Sequence, residues 1–173
     1  MKILTNSDNS SLIDQYFTTA RGAYEEAKAT WTTLTSAEKQ LVILSPIIAV
    51  MVESARNQAY ETTKRIYYKS GQGDISDAFR HAIWNAYMCR QISKADAKAF
   101  ATAHEQKDNA YYNTVFEDGY TGRQHTNMDL HNNEKGRDTW SVLTDSMFFV
   151  SDADMEQRVL NKISNGEMVK LHN

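Results

Sequence analysis

Histidines are concentrated in one part of the chain, and carboxylates accompany most of them. Four of the five histidines fall in this stretch: His81, His104, His125 and His131. An imidazole titrates near neutral pH and binds transition metals, so a histidine beside a carboxylate can move protons or hold an ion. We therefore expect the chemistry of this protein to lie between Asp77 and Arg137.

The first of these histidines shares one side of a predicted helix with a carboxylate. Apolar residues from Ile75 onward form one face of that helix, at the helical spacing of three and four. Asp77 and His81 are four residues apart on the opposite side, where Trp84 also lies. A carboxylate so placed can orient the imidazole, either next to a bound metal or as an acid–base pair.

Two further predicted helices carry polar residues on their inward faces. His104 shares such a face with apolar residues, and Glu105 lies at its border. Asp129, Asn133 and Arg137 recur every four residues on the next helix, beside apolar neighbours, which is unusual for a solvated surface. We expect His131, and the loop and tail histidines at 125 and 172, to lie outside this cluster, the last two in solvent.

Imidazole and carboxylate ligands from separate helices suit one divalent ion, most simply zinc, that activates water for hydrolysis. In this interpretation His81, His104 and Asp129 bind the ion or act as acid–base groups, and Glu105 is the general base. The residues predicted to bind substrate are Arg80, Asn132, Asn133 and Arg137. One of the two arginines would bind an anionic or carbonyl oxygen of the substrate. Asp77 and Trp84 are predicted to support the site.

Two other interpretations fit the same residues. A metal-free hydrolase of the lysozyme type would use Glu105 as its acid, assisted by His81. Alternatively, the cluster is a satisfied polar network that fixes helix order without catalysis. The chain has no HExxH, no CxxC pair and no phosphate loop. Its order of histidine, histidine–carboxylate and carboxylate resembles that of all-helical HD-type phosphohydrolases, with glutamate in place of the paired aspartate.

Composition limits the class of protein. The chain has 173 residues, 41% hydrophobic and 24% charged, which predicts one soluble domain with a single core. A net charge of -3 gives no bulk attraction to nucleic acid, so we expect no nucleic-acid partner. The one cysteine, Cys89, forms no intrachain disulfide. The polar start after Leu4 argues against a signal peptide, so we expect a cytoplasmic location in the producing cell, with any export through a specialised secretion system.

Helical periodicity predicts an all-α fold, a single-domain bundle of about six helices with a flexible start over 1–11 and a long loop over 108–126. The predicted helices cover 12–31, 36–68 with a break at Pro46, 76–92, 94–107, 127–140 and 152–165. Thr35 with Glu38 and Ser151 with Asp154 are predicted capping boxes.

The most apolar run, Leu41–Val52, has twelve residues, short of the roughly twenty that cross a bilayer as a helix. We expect it to be part of a buried core helix. A membrane-active segment is the alternative.

Four segments carry a resemblance to a known family: DAFRHAIWNAYM at 77–88, AKAFATAHE at 97–105, MDLHNNEKGR at 128–137 and VLNKISNGEMVKL at 159–171. The chain resembles a family of uncharacterised bacterial domains with a DAFRHAxWN, HE and MDLxNNxxGR signature, over about residues 35–171. Carried over by position, the signature points to Asp77, Arg80, His81, Trp84, Asn85, His104, Glu105, Asp129, Asn132, Asn133, Gly136 and Arg137. Some members have tyrosine at the position of His131, which argues against that residue as a ligand.

Such domains resemble those at the ends of polymorphic toxins and secretion-system effectors. The resemblance implies an antibacterial role, with a cognate immunity protein as partner, and it points to no particular reaction. Together with the hydrolytic site predicted above, it leads us to expect a hydrolase that acts on cell-envelope material. Two non-enzymatic alternatives remain open: a membrane-perturbing toxin that uses Leu41–Val52, or a binding module with its groove at the 108–126 loop.

Overall fold

A computed structural model of the chain describes residues 30–173. The chain divides into two units, Met1–Leu34 and Thr35–Asn173. In the first unit, residues 30–33 are helical; the rest of the helix predicted over 12–31, and the flexible start predicted over 1–11, lie outside the described residues. The second unit contains every candidate site residue.

The regular secondary structure of the second unit is helical. In chain order they are α1 (Ser36–Leu44), α2 (Pro46–Tyr67), α3 (Ile75–Gln91), α4 (Lys94–His104), α5 (Asn109–Asn113), α6 (Gly122–Arg137) and α7 (Asp152–Ser164). Over residues 30–173 no strand forms, and the only sheet-like pairing there is an isolated bridge between Val115 and Thr121. The predicted all-α fold is confirmed.

Local signals in the sequence set several helix ends. Thr35 and Glu38 form the predicted capping box of α1, which stops at Leu44. Pro46 then occupies the first turn of α2, where a missing N–H costs no hydrogen bond, so the predicted break becomes a boundary between two helices. The predicted capping box of Ser151 and Asp154 begins α7.

Helix α3 lies at the centre of the fold. Its N-cap is Asp74, whose carboxylate accepts hydrogen bonds from the backbone N–H groups of Ser76 and Asp77. Apolar side chains such as Phe79 and Tyr87 are fully buried, and α2, α4, α6 and α7 all pack against this helix. A helix buried on most faces holds its polar side chains inside the protein, which is the condition for shifting their pKa values.

The contact of α3 with α6 is unusually close. A Cβ on Gly136 of α6 would lie 2.1 Å from the backbone oxygen of Ala82 on α3, a separation that no side chain tolerates. The absence of a side chain at Gly136 therefore allows the two backbones to touch. This approach brings the polar stripe of α6 onto the polar side of α3.

The 108–126 segment is more ordered than the predicted loop. It contains the short helix α5, the Val115–Thr121 bridge and the start of α6. The predicted start of that helix near Asn127 is wrong, because Thr121 and Gln124 form a capping box that begins α6 at Gly122.

The apolar run Leu41–Val52 is not the buried core helix expected from its composition. It spans the end of α1 and the start of α2, and the side chains of Ile43, Leu44 and Ile47 are 69 to 78% exposed. Only Val52 of the run is buried. No helix among residues 30–173 combines the length and hydropathy needed to span a membrane.

Candidate active site

Three ligand-type side chains from α3 and α6 meet at a buried point. Asp77 and His81 come from successive turns of α3, and Asp129 comes from the polar stripe of α6. His81 Nε2 lies 3.4 Å from Asp77 Oδ1 and 3.4 Å from Asp129 Oδ1. One donor atom from each residue lies within 4.8 Å of the other two, so this group could hold a metal ion.

Asp77 is held rigidly as an anion. Its Oδ2 accepts a 2.6 Å hydrogen bond from the backbone N–H of Gly73, and its Oδ1 accepts one from the guanidinium of Arg80. Burial alone would raise the pKa of Asp77, but His81, Arg80 and the Gly73 N–H outweigh it and lower the pKa. The carboxylate is therefore charged and fixed in position at neutral pH.

Asp129 is in the opposite situation. Its Oδ1 is buried and has no hydrogen-bond partner among residues 30–173, because the 3.4 Å to His81 Nε2 exceeds a charge-assisted hydrogen bond. Burial raises the pKa of Asp129 to about 7, with His81 opposing the rise and the other carboxylates adding to it. An unpartnered buried carboxylate oxygen is costly unless a proton or a cation satisfies it.

A fourth group, Glu105, faces the other edge of the imidazole. Its Oε1 lies 3.6 Å from His81 Nδ1, an atom that has no hydrogen-bond partner in the described part of the chain. Burial works against the imidazolium, but the three facing carboxylates outweigh it and raise the pKa of His81 to about 9. The ring thus has carboxylates at both nitrogens.

Amide groups behind the carboxylates form a directed chain of hydrogen bonds. Arg137 donates to Asn85 Oδ1 at 2.7 Å, and Asn85 Nδ2 donates to Asn133 Oδ1 at 2.7 Å. Asn133 Nδ2 in turn reaches Glu105 Oε1 at 3.5 Å. Arg137 and Asn133, predicted to bind substrate, are instead buried in a network that positions Glu105.

His104, predicted as a metal ligand, is placed apart from this group. Its Nδ1 lies 2.8 Å from Glu38 Oε1, and its ring packs edge-on against Trp84, with centroids 5.5 Å apart. The Asp–His–Asp group contains Asp77 instead, which the sequence indicated only as a supporting residue. Glu38 serves both as the capping residue of α1 and as the partner of His104, and only its capping role was visible in the sequence.

A pocket of about 390 Å³ opens onto His81. Side chains of α2, α3 and α4 line it: Arg56, Asn57, Ala59, Tyr60, Arg80, His81, Trp84 and His104. Ligand pockets typically measure roughly 300–1,000 Å³, so the space suits a small molecule or one unit of a polymer. Of the residues predicted from the sequence, Arg80, His81, Trp84 and His104 meet in this pocket.

The remaining candidates lie elsewhere. Asn132 donates a 2.8 Å hydrogen bond to the backbone carbonyl of Val169 and accepts a 3.0 Å hydrogen bond from its N–H, which is a structural role. His131 bonds the carbonyl of Glu167 at 2.8 Å, outside the cluster as expected. The expectation that His125 is solvent-exposed is wrong, because it is buried and lies 3.1 Å from Asp118.

One group near the carboxylates was missed by sequence reasoning. Burial, together with the carboxylates of Asp129 and Glu105, raises the pKa of the Tyr111 phenol to about 12. Tyr111 belongs to α5, which packs on α6 because Gly122 has no side chain: a Cβ there would lie 2.1 Å from the Tyr111 carbonyl oxygen. Its only sequence signal was the aromatic content of a segment predicted to be a loop.

The fold and site define an all-α domain with a buried histidine–carboxylate centre. The chain belongs to the family described as a domain of unknown function (DUF6973), whose model matches residues 39–167. This match agrees with the expected membership of an uncharacterised family. Neither a curated protein nor a solved structure matches the chain.

Proposed function

We propose that this protein is a metal-assisted hydrolase whose ion is held by Asp77, His81 and Asp129. The observation that carries the proposal is the buried Asp129 Oδ1 without a hydrogen-bond partner among residues 30–173, 3.4 Å from His81 Nε2. Two donors bound to one tetrahedral zinc at roughly 2.0–2.1 Å lie about 3.4 Å apart. The spacing therefore matches two ligands of one ion better than a direct hydrogen bond.

The charge balance favours a cation at the same point. Three buried carboxylates, from Asp77, Glu105 and Asp129, surround one imidazole, and even with His81 protonated the two cations, Arg80 and His81, leave one carboxylate without a balancing charge. Burying unbalanced negative charge costs several kcal/mol per ion. A divalent cation, zinc first because of the imidazole ligand, removes that imbalance.

Each residue then has a defined role. A bound divalent ion supplies Lewis acidity and lowers the pKa of water for attack on a polarised bond. His81 would bind the ion through Nε2, which gives up its proton on binding, while Glu105 at Nδ1 would orient the ring, as carboxylates commonly do behind ligating histidines. Glu105 lies at Nδ1, whereas Asp77 and Asp129 lie at Nε2, and this position supports an orienting role over the general base predicted from sequence. Arg80 fixes Asp77 and also lines the pocket.

Loss of hydrolysis in Asp129→Asn tests this proposal. The substrates are chromogenic acyl and phosphate esters and purified cell-envelope fractions, assayed with added zinc or manganese. We expect hydrolysis of at least one substrate by the wild type and a loss of about 100-fold or more in the variant, because loss of a ligand should exceed the roughly 10- to 100-fold typical for loss of a group that only supports one. Asp138→Asn, at the exposed end of the same helix, is the matched control and should keep full activity. Hydrolysis of no substrate, or equal activity in both variants, would overturn the proposal.

The biological setting is also proposed. The sequence resemblance supports an antibacterial effector that acts on cell-envelope material and is neutralised by an immunity protein. Expression in the periplasm of a bacterial host should then be toxic, and Asp129→Asn should remove the toxicity while the protein remains folded. Toxicity that persists in a folded Asp129→Asn protein would point to a non-enzymatic mechanism.

A second candidate function, contact with a membrane, is favoured by one observation. Ile43, Leu44 and Ile47 expose most of their apolar surface where α1 meets α2, and exposed apolar patches often mark interaction sites. Since these side chains are exposed, Ile47→Glu should leave the fold intact. Liposome leakage caused by the wild type and abolished by Ile47→Glu, with Asp129→Asn still active in leakage, would favour this function over hydrolysis.

A further inference from the structure

We infer that the pocket beside His81 recognises a phosphate ester, with Arg56 and Arg80 binding the phosphate and Tyr60 packing against the rest of the substrate. This inference rests on the proposed hydrolase function, because it names the class of substrate for the same centre. Hydrolysis would form a bond from a water oxygen to phosphorus and break the ester P–O bond, and the alcohol would leave with a proton.

The charge of the lining points to an anion. Among its residues are two arginines and two histidines, and no carboxylate belongs to the lining. Two guanidinium groups offer forked N–H donors from two sides of the pocket, which suit the three oxygens of a phosphate monoester better than the two of a carboxylate. The net charge of -3 gives no attractive field for a long polyanion, so the pocket favours a single phosphate group.

Arg80 is preorganised for this role. It donates to Ser70 Oγ at 2.5 Å, to the Gly71 carbonyl at 2.9 Å and to Asp77 Oδ1. These contacts fix the plane of the guanidinium and leave further N–H donors of the group for a ligand. A rigid donor costs little conformational entropy when it binds an anion.

Arg56 is available in a different way. Its partner is Glu53, one turn earlier on α2, and both side chains are more than a third exposed. Such surface pairs are weak, so a phosphate in the pocket can displace Glu53. Tyr60 follows Arg56 by four residues on the same helix face, and the Lys64 ammonium lies 4.4 Å from its ring centroid. The α2 side of the pocket therefore combines positive charge with an aromatic surface.

Binding of phenyl phosphate tests the inference. Isothermal calorimetry compares this probe with benzoate and phenol, with and without EDTA, on the wild type and on Asp129→Asn. We expect phenyl phosphate to bind more tightly than benzoate and phenol not to bind. Arg56→Gln should weaken binding of phenyl phosphate about ten- to hundredfold, as for loss of one charge-assisted hydrogen bond. Arg65→Gln, an exposed arginine of the same helix paired with Glu156 outside the pocket, should change nothing.

Several outcomes would overturn the inference: no binding of phenyl phosphate, equal binding of benzoate or phenol, or equal effects of Arg56→Gln and Arg65→Gln. Its failure is distinguishable from failure of the hydrolase proposal. Arginine-dependent binding without hydrolysis leaves a phosphate-binding pocket and removes the enzyme, whereas hydrolysis of acyl esters without phosphate binding keeps the enzyme and removes this substrate class.

Discussion

His81 Nε2 of α3 lies 3.4 Å from Asp129 Oδ1 of α6, and no hydrogen bond in the described residues satisfies that oxygen. The two side chains come from helices whose backbones touch at Gly136, so the contact depends on helix packing as much as on the side chains. A substitution at Gly136 therefore tests the packing, and substitutions of the side chains distinguish a metal centre from a structural network.

The choice of ligands can be tested by comparing two variants. His104→Ala should retain metal binding, since the imidazole of His104 pairs with Glu38 and not with the Asp–His–Asp group. Asp77→Asn should weaken metal affinity about 10- to 100-fold or more, because it removes an anionic ligand. Equilibrium dialysis with zinc measures both affinities. Weaker zinc binding in His104→Ala than in Asp77→Asn would instead support the ligand set predicted from the sequence.

The close approach of α3 and α6 predicts a penalty for a single methyl group. Gly136→Ala should destabilise the protein by about 1–3 kcal/mol, despite the better helix propensity of alanine, because the added Cβ meets the Ala82 carbonyl. Urea denaturation measures this loss. Where the variant still folds, it should bind zinc more weakly, since Asp129 moves away with α6. A Gly136→Ala protein as stable as the wild type would contradict the observed packing.

The polar network predicts strong coupling between two residues. Asn85→Leu leaves the buried Arg137 guanidinium without its partner, and should cost about 3 kcal/mol or more in the free energy of unfolding. Adding Arg137→Met removes that unpaired charge, so the double variant should be more stable than the sum of the single losses implies. Additive losses in denaturant titrations would mean that the two side chains do not act as a unit.

The N-cap of α3 predicts a dependence of stability on pH. Burial would raise the pKa of Asp74, but hydrogen bonds from Lys69, Ser76 and the Asp77 N–H hold it at about 2, below the ordinary 3.8. Because the folded-state pKa is the lower one, the contribution of this charge is present above about 4 and is lost as pH falls towards about 2. Asp74→Ala should cost about 1 kcal/mol at pH 7.

The control for this prediction is Asp74→Asn, which keeps a capping oxygen but removes the charge. Its stability loss, relative to the wild type, should shrink between pH 5 and pH 2. A difference that stays constant over this range in urea titrations would show that the Asp74 charge does not contribute.

Sequence periodicity predicted the relationships between residues of the same helix. Asp77 and His81 face each other because residues four apart share a helix face, and the polar stripe of Asp129, Asn133 and Arg137 is buried for the same reason. The all-α fold and the helix boundary at Pro46 follow equally from local signals.

Relationships between helices could not be predicted in this way. His104 was expected in the cluster because its helix face is apolar, but which residue meets that face depends on the position of α1, which brings Glu38. Likewise, hydropathy alone made Leu41–Val52 a core segment, whereas the run is divided between two helices at Ser45 and half of its hydrophobic side chains are exposed. Tyr111 and Arg56 approach the site only through the packing of α5 and α2, so no motif marked them.

The most direct test of the metal centre is metal analysis of protein purified without a histidine tag, combined with thermal unfolding in a chelator. We expect about one equivalent of zinc, manganese or nickel and a lower melting temperature in EDTA, because an ion that binds only the folded state adds its affinity to stability. Asp129→Asn should lose both the ion and the response to EDTA. Metal-free protein with a melting temperature insensitive to EDTA, and strongly destabilised by His81→Ala, would contradict a metal centre at Asp77, His81 and Asp129 and establish a structural network instead.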